Sequence, residues 1–246
     1  MIAGIVLAAG QSSRLGRPKQ LLPVHGEPLL RHTLRHVLES SLEKVIVVVG
    51  HEADAIRDAI ADLPVDVALN ADAARGQSTS VCVGLAALPA EAEAVVFILG
   101  DQPGIDPHVI DALIASWRES GAPILAPLYE DGMGNPVLFD RRVFPELAVI
   151  EGDTGARPVV RAYHESGELF LVPVAGTSPP DVDTEADYAA LIAALTSSWN
   201  STMSPMTIAC SFIPGLNAAH DVRPMNGGIF TPSTLTLTSS RGKLTL

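Results

Sequence analysis

The stretch LAAGQSSRLGRPKQLLP, from Leu7 to Pro23, decides the fold of this 246-residue chain. It follows a short apolar run that begins at Ile2 and has the character of a buried β-strand. Within it, two glycines and two small hydroxyl residues stand among three cations, Arg14, Arg17 and Lys19. A strand followed by a loop with free backbone N–H groups and clustered cations is suited to binding a polyphosphate. The stretch therefore predicts a phosphate-binding loop at the end of the first strand.

This loop differs from two familiar phosphate-binding motifs. The chain contains no G-x-x-x-x-G-K-[ST] sequence, which would indicate a Walker loop, and no G-x-G-x-x-G after a strand, which would indicate a dinucleotide site. Gly10 and Gly16 allow the backbone to approach a phosphate closely. Arg14 offers a planar fork of donors, whereas Lys19 offers a point charge. These residue types point to a polyphosphate held in a different kind of loop.

Strand-like and helix-like segments alternate along the chain. Strands are predicted at 2–7, 45–49, 65–69, 94–99, 124–127, 136–139 and 169–172, and helices from about residue 28 and at 52–61, 78–88, 107–119 and 184–195. This alternation predicts an α/β fold: a three-layer, Rossmann-like, mostly parallel sheet with helices on both faces. Ligands of such sheets bind beyond the carboxyl ends of the strands. The candidate site segments are therefore 10–19, 70–80 and 100–103.

Composition excludes several classes of protein. The net charge of −12 argues against a nucleic-acid partner. No apolar run reaches the length of a membrane span, and the N-terminal run favours a first strand over a signal peptide because it is short and has no basic start. Cys82 and Cys210 have no metal or redox spacing. We therefore expect a cytoplasmic protein that binds neither nucleic acid nor membrane.

The character of the sequence changes near residue 195. Residues 196–246 are rich in Ser and Thr and carry few charges, so we expect a C-terminal tail that is poorly ordered, with MTIACSFI and TLTLTSS as candidate edge strands. Residues 1–195 are predicted to form the functional domain.

Two acidic segments follow apolar or turn-like sequence. LGDQP places Asp101 at the end of a predicted strand, where a carboxylate is suited to hold Mg²⁺ together with waters and substrate phosphates. PDVDT contains Asp181 and Asp183, which share one face if the segment is extended. From the residues alone, Asp183 and Thr184 favour the plain start of a helix, with Thr184 as its N-cap.

The pattern L-A-A-G-x-S-x-R-x-G-x-x-K, followed by L-L-P and G-x-P-L-L, resembles the nucleotidyltransferases that activate the molybdenum cofactor, most closely the molybdenum cofactor cytidylyltransferases. The resemblance covers about residues 2–195 and implies a fold of the nucleotide-diphospho-sugar transferase type. It implies a nucleotide site built from Leu7, Ala8, Ala9, Gly10, Ser12, Ser13, Arg14, Gly16, Lys19, Asn70, Gly76, Ser78, Ser80 and Asp101.

The resemblance also extends to an acceptor site and a metal site. GNPVLF is similar to the family's G-H-P-V-L-F, with Asn135 in place of the usual His, and EGDTGARPVV is similar to its G-D-x-G-A-R element. In the family's D-x-D-T-x-x-D-Y element the inner Asp is a second metal ligand, which implies Mg²⁺, or Mn²⁺, held by Asp101 and Asp183. The acceptor residues implied are Gln102, Asn135, Gly152, Asp153, Gly155 and Arg157.

The implied reaction is attack by the terminal phosphate of molybdopterin, or of the complete molybdenum cofactor, on the α-phosphorus of a nucleoside triphosphate, with loss of pyrophosphate. Lys19, Arg14 and Asp101 are the implied catalytic residues, since the enzyme must neutralise charge between two polyanions. A-A-G in the loop and G-D-Q-P resemble the cytidylyl branch, whereas the guanylyl branch more often shows A-G-G and C-D-x-P. CTP is therefore the expected nucleotide, and a molybdenum hydroxylase or its accessory protein is an expected partner.

Other functions remain open at this point. The chemistry is equally compatible with GTP or with another small phosphorylated acceptor, because fold does not fix function. A non-catalytic accessory protein that binds the cofactor for a molybdenum hydroxylase is a second class, although such a binder has no need of Lys19, Asp101 and Asp183. A nicotinamide-dependent reductase is a third class, disfavoured by the missing dinucleotide motif.

Overall fold

The computed structural model describes residues 1–12 and 14–202 and two short strands at 237–239 and 242–244; for 197–202 and those strands it describes the backbone alone. Contacts divide the chain into two units, 1–203 and 204–246. In the second unit, Leu237–Ser239 and Gly242–Leu244 pair as an antiparallel ribbon, and the first of them lies within the predicted TLTLTSS strand. The MTIACSFI segment and the predicted disorder of the tail lie outside the described residues.

The strands of the described residues are β1 (Ile2–Ala8), β2 (Pro23–Val24), β3 (Glu27–Pro28), β4 (Lys44–Val49), β5 (Asp66–Leu69), β6 (Ala94–Leu99), β7 (Ile124–Tyr129), β8 (Gly132–Met133), β9 (Val137–Asp140), β10 (Leu169–Pro173), β11 (Leu237–Ser239) and β12 (Gly242–Leu244). The α-helices are α1 (Leu29–Glu39), α2 (Ala53–Ala59), α3 (Gln77–Ala86), α4 (Pro107–Ser120), α5 (Phe144–Leu147), α6 (Arg157–Ser166) and α7 (Glu185–Thr202). Every predicted strand and helix of the first unit is present, with ends that differ by a few residues.

One eight-stranded sheet organises the first unit, in the order β10-β7-β9-β6-β1-β4-β5 with β8 added against β7. β1 is parallel to both β4 and β6, β4 is parallel to β5, and β7 is parallel to β10. β9 runs antiparallel to both of its neighbours, β6 and β7. The sheet is therefore mixed but mostly parallel, as the alternating sequence predicts.

Helices cover both faces of this sheet. Side chains of α1, α2 and α4 form one core with Ile2 and Val6 of β1, whereas side chains of α3, α5 and α6 form a second core with Ile5 of the same strand. Successive side chains of a strand point to opposite faces, so an apolar strand such as β1 supplies both cores. The three-layer, Rossmann-like α/β prediction is confirmed.

The ends of the two central strands are fastened to each other where the site begins. The Gly100 N–H, just after β6, donates to the Leu7 carbonyl at 3.0 Å, and the buried Thr33 hydroxyl of α1 donates to the Gly100 carbonyl at 3.2 Å. A Cβ on Gly100 would lie 3.0 Å from the Leu7 oxygen, so only glycine fits without displacing β1. This contact fixes Asp101 beside the loop that follows β1.

Helix α7 brings the last acidic segment to the same place. It continues to Thr202, so the domain boundary predicted at residue 195 lies within it. Tyr188 and Leu191 of this helix pack with Val182 against a small core that includes Leu22. The predicted Thr184 cap forms: Thr184 and Asp187 exchange hydrogen bonds at 2.8 and 3.2 Å, as in a capping box. None of the helices in the described part of the chain is long and apolar enough to cross a membrane.

We expect Gly84→Ala to destabilise the first unit. A Cβ on Gly84 of α3 would lie 2.6 Å from the Ile5 Cγ2 atom, so the helix must move away from β1. Overpacking of this kind costs about 1–3 kcal/mol, which urea denaturation measures. Gly104→Ala is the matched control, since its Cβ would meet only Pro179 at 3.8 Å and should change stability little. Equal stability of the two variants would contradict the packing described here.

Candidate active site

A cleft of about 590 Å³ opens above the carboxyl ends of β1 and β6. The loop after β1, the start of α3, the turn after β6 and the segment before α7 form its walls. The predicted site residues that line it are Leu7, Ala9, Gly10, Ser12, Lys19, Gly76, Ser80, Asp101, Asp153, Arg157 and Asp183. The predicted position at the carboxyl edge of the sheet is thus occupied by a concave surface with both cations and carboxylates.

The Gln20 side chain supports the loop after β1. The sequence analysis did not identify this residue. The Gln20 side chain is 2% exposed, and its amide donates to the carbonyls of Ala8 and Gly10 at 3.0 and 3.3 Å. Ser12 adopts a φ of 52°, and its hydroxyl accepts from the Lys19 N–H at 2.9 Å. These contacts keep the loop open around the cleft. Ser13, predicted to bind nucleotide, lies outside the described residues.

Lys19 joins two carboxylates at the floor of the cleft. Its ammonium donates to Asp101 and, at 2.7 Å, to Asp183. The Lys19 and Asp101 side chains are only 14% and 15% exposed. Burial lowers the pKa of Lys19, but the two carboxylates together raise it by more, so its pKa lies above the usual value. The three residues predicted for catalysis and metal binding at this point therefore converge on one another.

The other two cations of the loop are also paired with carboxylates. Arg14 lies 3.2 Å from Asp183, and Arg17 donates two hydrogen bonds to Glu185 while its guanidinium stacks over the Tyr188 ring. Arg14 and Gly16 are exposed and lie outside the cleft lining. The cations expected to bind a phosphate are therefore already paired with carboxylates of the same chain. Arg17 links α7 to the loop, and Arg14 reaches only the rim of the cleft.

Asp181 is a further carboxylate of the cleft, and Gln102 positions it. The Gln102 amide is buried and donates to Asp181 at 2.7 Å and to the Pro179 carbonyl at 3.1 Å. Burial raises the pKa of Asp181, and nearby Asp101 raises it further. Gln102 lines neither the cleft nor the cavity beside it; here it positions Asp181, and its acceptor contact stays a prediction. The D-x-D spacing was the signal that could have identified Asp181.

Asn70 and Ser78 likewise lie outside the lining of the cleft. The Asn70 amide is 2% exposed and donates to the hydroxyls of Thr79 and Ser80, both at 2.9 Å. Ser78 is 1% exposed. Both residues line a separate depression rather than the cleft. Asn70 therefore orients Ser80, which does line the cleft, and its direct contact with a nucleotide stays a prediction. Sequence spacing places such residues near a loop but does not show which way they point.

The loop at 151–155 caps α3, the helix on the nucleotide side. The Ser78 N–H donates to the Gly152 carbonyl at 3.1 Å, and the Gln77 N–H donates to the Asp153 carboxylate at 3.1 Å. Gly76, the residue before α3, has no side chain to cap the helix itself. The predicted acceptor residues Gly152 and Asp153 thus satisfy the helix N-terminus, which is where an anion would otherwise bind. Gly155 packs against Gln77 in the same contact.

A second cavity of about 450 Å³ adjoins the cleft, and the two share Leu7, Gln77, Leu99 and Arg157 in their linings. Asn135, predicted to contact the acceptor, lines this cavity. Arg157 forms no ion pair within the described part of the chain, in contrast to the three cations of the loop. The arrangement offers room for two ligands, with one available guanidinium at their junction.

The donor set of the cleft suits a hard divalent cation. The Asp101 and Asp183 carboxylates converge on one positive charge, the Lys19 ammonium, and carboxylate oxygens are the ligands that Mg²⁺ and Mn²⁺ prefer. Within residues 1–12, 14–202 and the two short strands, no group of three or more His, Cys, Asp or Glu is arranged to hold a metal ion. An ion here would therefore need further ligands from water or from phosphate oxygens.

Comparisons with known proteins agree with this geometry. Residues 4–167 match the family model of the MobA-like NTP transferase domain. Nicotine blue oxidoreductase of Paenarthrobacter nicotinovorans is 30% identical over 167 residues, which cover 65% of this chain and 81% of that protein. Purine catabolism protein PucB of Bacillus subtilis strain 168 is 29% identical over 195 residues, which cover 76% of this chain and 94% of that protein.

Among solved structures, Rv0371c of Mycobacterium tuberculosis H37Rv, in complex with manganese, is 35% identical with a TM-score of 0.68; the match covers 78% of this chain and 98% of that one. The fold is the Rossmann-like α/β fold of the nucleotide-diphospho-sugar transferases, as predicted. Because the family model spans most of the described sheet and includes the loop after β1, the chain belongs to the MobA-like NTP transferase domain family and is a nucleotidyltransferase.

Proposed function

We propose that this nucleotidyltransferase transfers CMP from CTP to the terminal phosphate of molybdopterin, or of its molybdenum-loaded form, and releases pyrophosphate. The observation that carries the proposal is the convergence of Lys19, Asp101 and Asp183 in a cleft that meets a second cavity at Arg157. Two adjoining sites with one cation between them suit a reaction that joins two phosphorylated molecules. The choice of molybdopterin and of CTP rests on the sequence motifs of the loop, of GDQP and of GNPVLF.

In this reaction the main role of the protein is to align charged groups. The attacking phosphate oxygen is already an anion, so no strong general base is needed. Asp101 and Asp183 would hold Mg²⁺, or Mn²⁺, and the manganese complex of the relative Rv0371c supports a divalent ion. Such an ion, when bound, supplies charge neutralisation at the transferred phosphate.

The loop cations have to change partners when a nucleotide binds. Lys19 now donates to Asp101 and Asp183, and Arg14 lies beside Asp183, so each can reach a phosphate only by leaving a carboxylate. The backbone N–H groups of the loop need no such exchange, nor does Arg157, which has no ion-pair partner among the described residues. We infer that Lys19 and Arg14 would stabilise the leaving pyrophosphate, whereas Arg157 would bind the acceptor phosphate.

The names of two relatives favour a second candidate. Nicotine blue oxidoreductase and a purine catabolism protein act, by their names, outside cofactor assembly, so another phosphorylated acceptor or an accessory role in loading a molybdenum hydroxylase is the alternative. The retained Lys19, Asp101 and Asp183 favour catalysis over simple binding. A nicotinamide-dependent reaction is tested by NADPH oxidation without added nucleotide, which we expect to be absent.

We expect the purified protein to release pyrophosphate when molybdopterin, or its molybdenum-loaded form, is supplied with Mg²⁺ and CTP. The matched reaction with GTP should be slower by at least tenfold. A coupled pyrophosphate assay measures both reactions, with protein that has been incubated with a chelator as the control.

Release with GTP alone would keep the mechanism and reverse the choice of base. If neither nucleotide reacts although CTP binds in a calorimetric titration, molybdopterin is the wrong acceptor and the alternative described above replaces the proposal.

We expect Lys19→Met to have opposite effects on metal binding and on turnover. Without the ammonium, Asp101 and Asp183 lose the charge that neutralises them, so the nucleotide-free protein should bind Mn²⁺ severalfold more tightly. Pyrophosphate release should fall by about 10²–10³-fold, as after loss of one electrostatic donor. The electron paramagnetic resonance signal of free Mn²⁺ measures the first effect.

Lys44→Met is the matched control, because Lys44 pairs with exposed Asp66 at the edge of the sheet and should alter neither quantity. The double variant Lys19→Met with Asp183→Asn should lose the added Mn²⁺ affinity. Unchanged Mn²⁺ binding in Lys19→Met would show that the two carboxylates do not form a common metal site.

A further inference from the structure

The residues that line the cavity beside the nucleotide cleft indicate properties of the acceptor other than its phosphate. It lies between the sheet and α6, and its volume of about 450 Å³ is enough for a small heterocyclic molecule. The argument that follows rests on the proposed function, in which this cavity receives the acceptor and the cleft receives the nucleotide.

The floor of the cavity is apolar. Phe97 and Phe139, from the neighbouring strands β6 and β9, meet edge to face with their ring centroids 5.7 Å apart, and Val137 and Val160 extend the same surface. Apolar side chains cannot hydrogen-bond a sugar or a triphosphate, but they stabilise a flat, apolar body. The body of the acceptor therefore lies on this floor.

One wall of the cavity carries a stripe of nitrogen donors. Arg157, Arg161 and His164 all line it from α6, and residues spaced by four and three positions share one face of a helix. Arg157 also lines the nucleotide cleft, whereas Arg161 and His164 do not. Neither arginine forms an ion pair anywhere in the described residues. These two guanidinium groups are consequently available to an anion.

The sign of the charge differs between the two sites. The cleft is lined by four carboxylates, those of Asp101, Asp153, Asp181 and Asp183. No Asp or Glu is among the described residues that line the second cavity, although the chain carries a net charge of −12. Glu165 is the acidic residue that lines an adjoining depression, together with Arg157 and Arg161. Cations grouped on one wall of a cavity that has no carboxylate in its own lining favour an anion there.

We propose that the acceptor carries a second anionic group, remote from the phosphate that receives the nucleotide, and that Arg161 binds this group with His164 beside it. At 1.5 Å per residue, Arg161 lies about 6 Å and His164 about 10 Å along α6 from Arg157. The acceptor is then a small molecule with a flat body that packs on the apolar floor and with two anionic groups, the phosphate at Arg157 and the second group at Arg161. Arg161 is a specificity-determining residue for that molecule.

A pair of fluorescent probes tests the site without turnover. 8-Anilino-1-naphthalenesulfonate and N-phenyl-1-naphthylamine share one flat apolar body and differ by a single sulfonate group. We expect the anionic probe to bind the whole protein at least tenfold more tightly than the neutral one. Arg161→Gln should weaken the anionic probe about fivefold or more and leave the neutral probe unchanged, while Arg161→Lys should recover part of the loss.

Arg118→Gln is the matched control, since Arg118 is exposed on α4 and lines neither site. Equal affinity for the two probes, or equal behaviour of Arg161→Gln and Arg118→Gln, would overturn the proposal. Pyrophosphate release is measured separately with CTP. If Arg161→Gln weakens the anionic probe but the protein releases no pyrophosphate, this inference stands and the proposed function is wrong. If the protein releases pyrophosphate but Arg161→Gln has no effect on the anionic probe, the proposed function stands and this inference is wrong.

Discussion

The site depends on the two ion pairs that the Lys19 ammonium makes. The ammonium binds Asp101 and Asp183, which lie 82 and 164 residues further along the chain, and so joins the loop after β1 to the turn after β6 and to the segment before α7. Two partly buried carboxylates repel each other strongly unless a cation lies between them. The charge of Lys19 therefore permits the acidic residues of the cleft to be close together before any ligand arrives.

The ion pairs of the loop cations determine how a polyanion can bind to so acidic a chain. The three cations of the loop after β1 are each neutralised by Asp or Glu, and the loop presents backbone N–H groups and a braced shape rather than excess positive charge. Arg157 and Arg161 of α6, by contrast, form no ion pair in the part of the chain that the structure describes. Binding of a nucleotide must then compete with internal ion pairs, which favours ligands that bring their own counter-ion over bare phosphate.

The sequence predicted the fold, and it predicted Lys19 and Asp101 at one edge of the sheet, because both follow from strong local rules; Asp183 was assigned to the site by the family resemblance. Apolar runs that alternate with helical segments specify a parallel sheet, and the ends of its central strands must then meet at one edge. What the sequence did not show is where buried polar groups point. Gln20, Gln102 and Asn70 each lie beside a motif, but their amides brace backbone or side chains, and only tertiary packing determines that orientation.

The loop at 151–155 and the start of α3 form one structural unit. Gly76 has a φ of 118°, and a Cβ there would lie 2.5 Å from the Gly152 carbonyl oxygen, so both strain and contact require glycine. Asp153 caps α3 and lines the cleft, as does Ser80 of the same helix. The contact is made of backbone and one carboxylate rather than long flexible side chains, so the 151–155 loop and the start of α3 are closely coupled. We therefore expect that a ligand that displaces this loop also changes the position of Ser80 in the cleft.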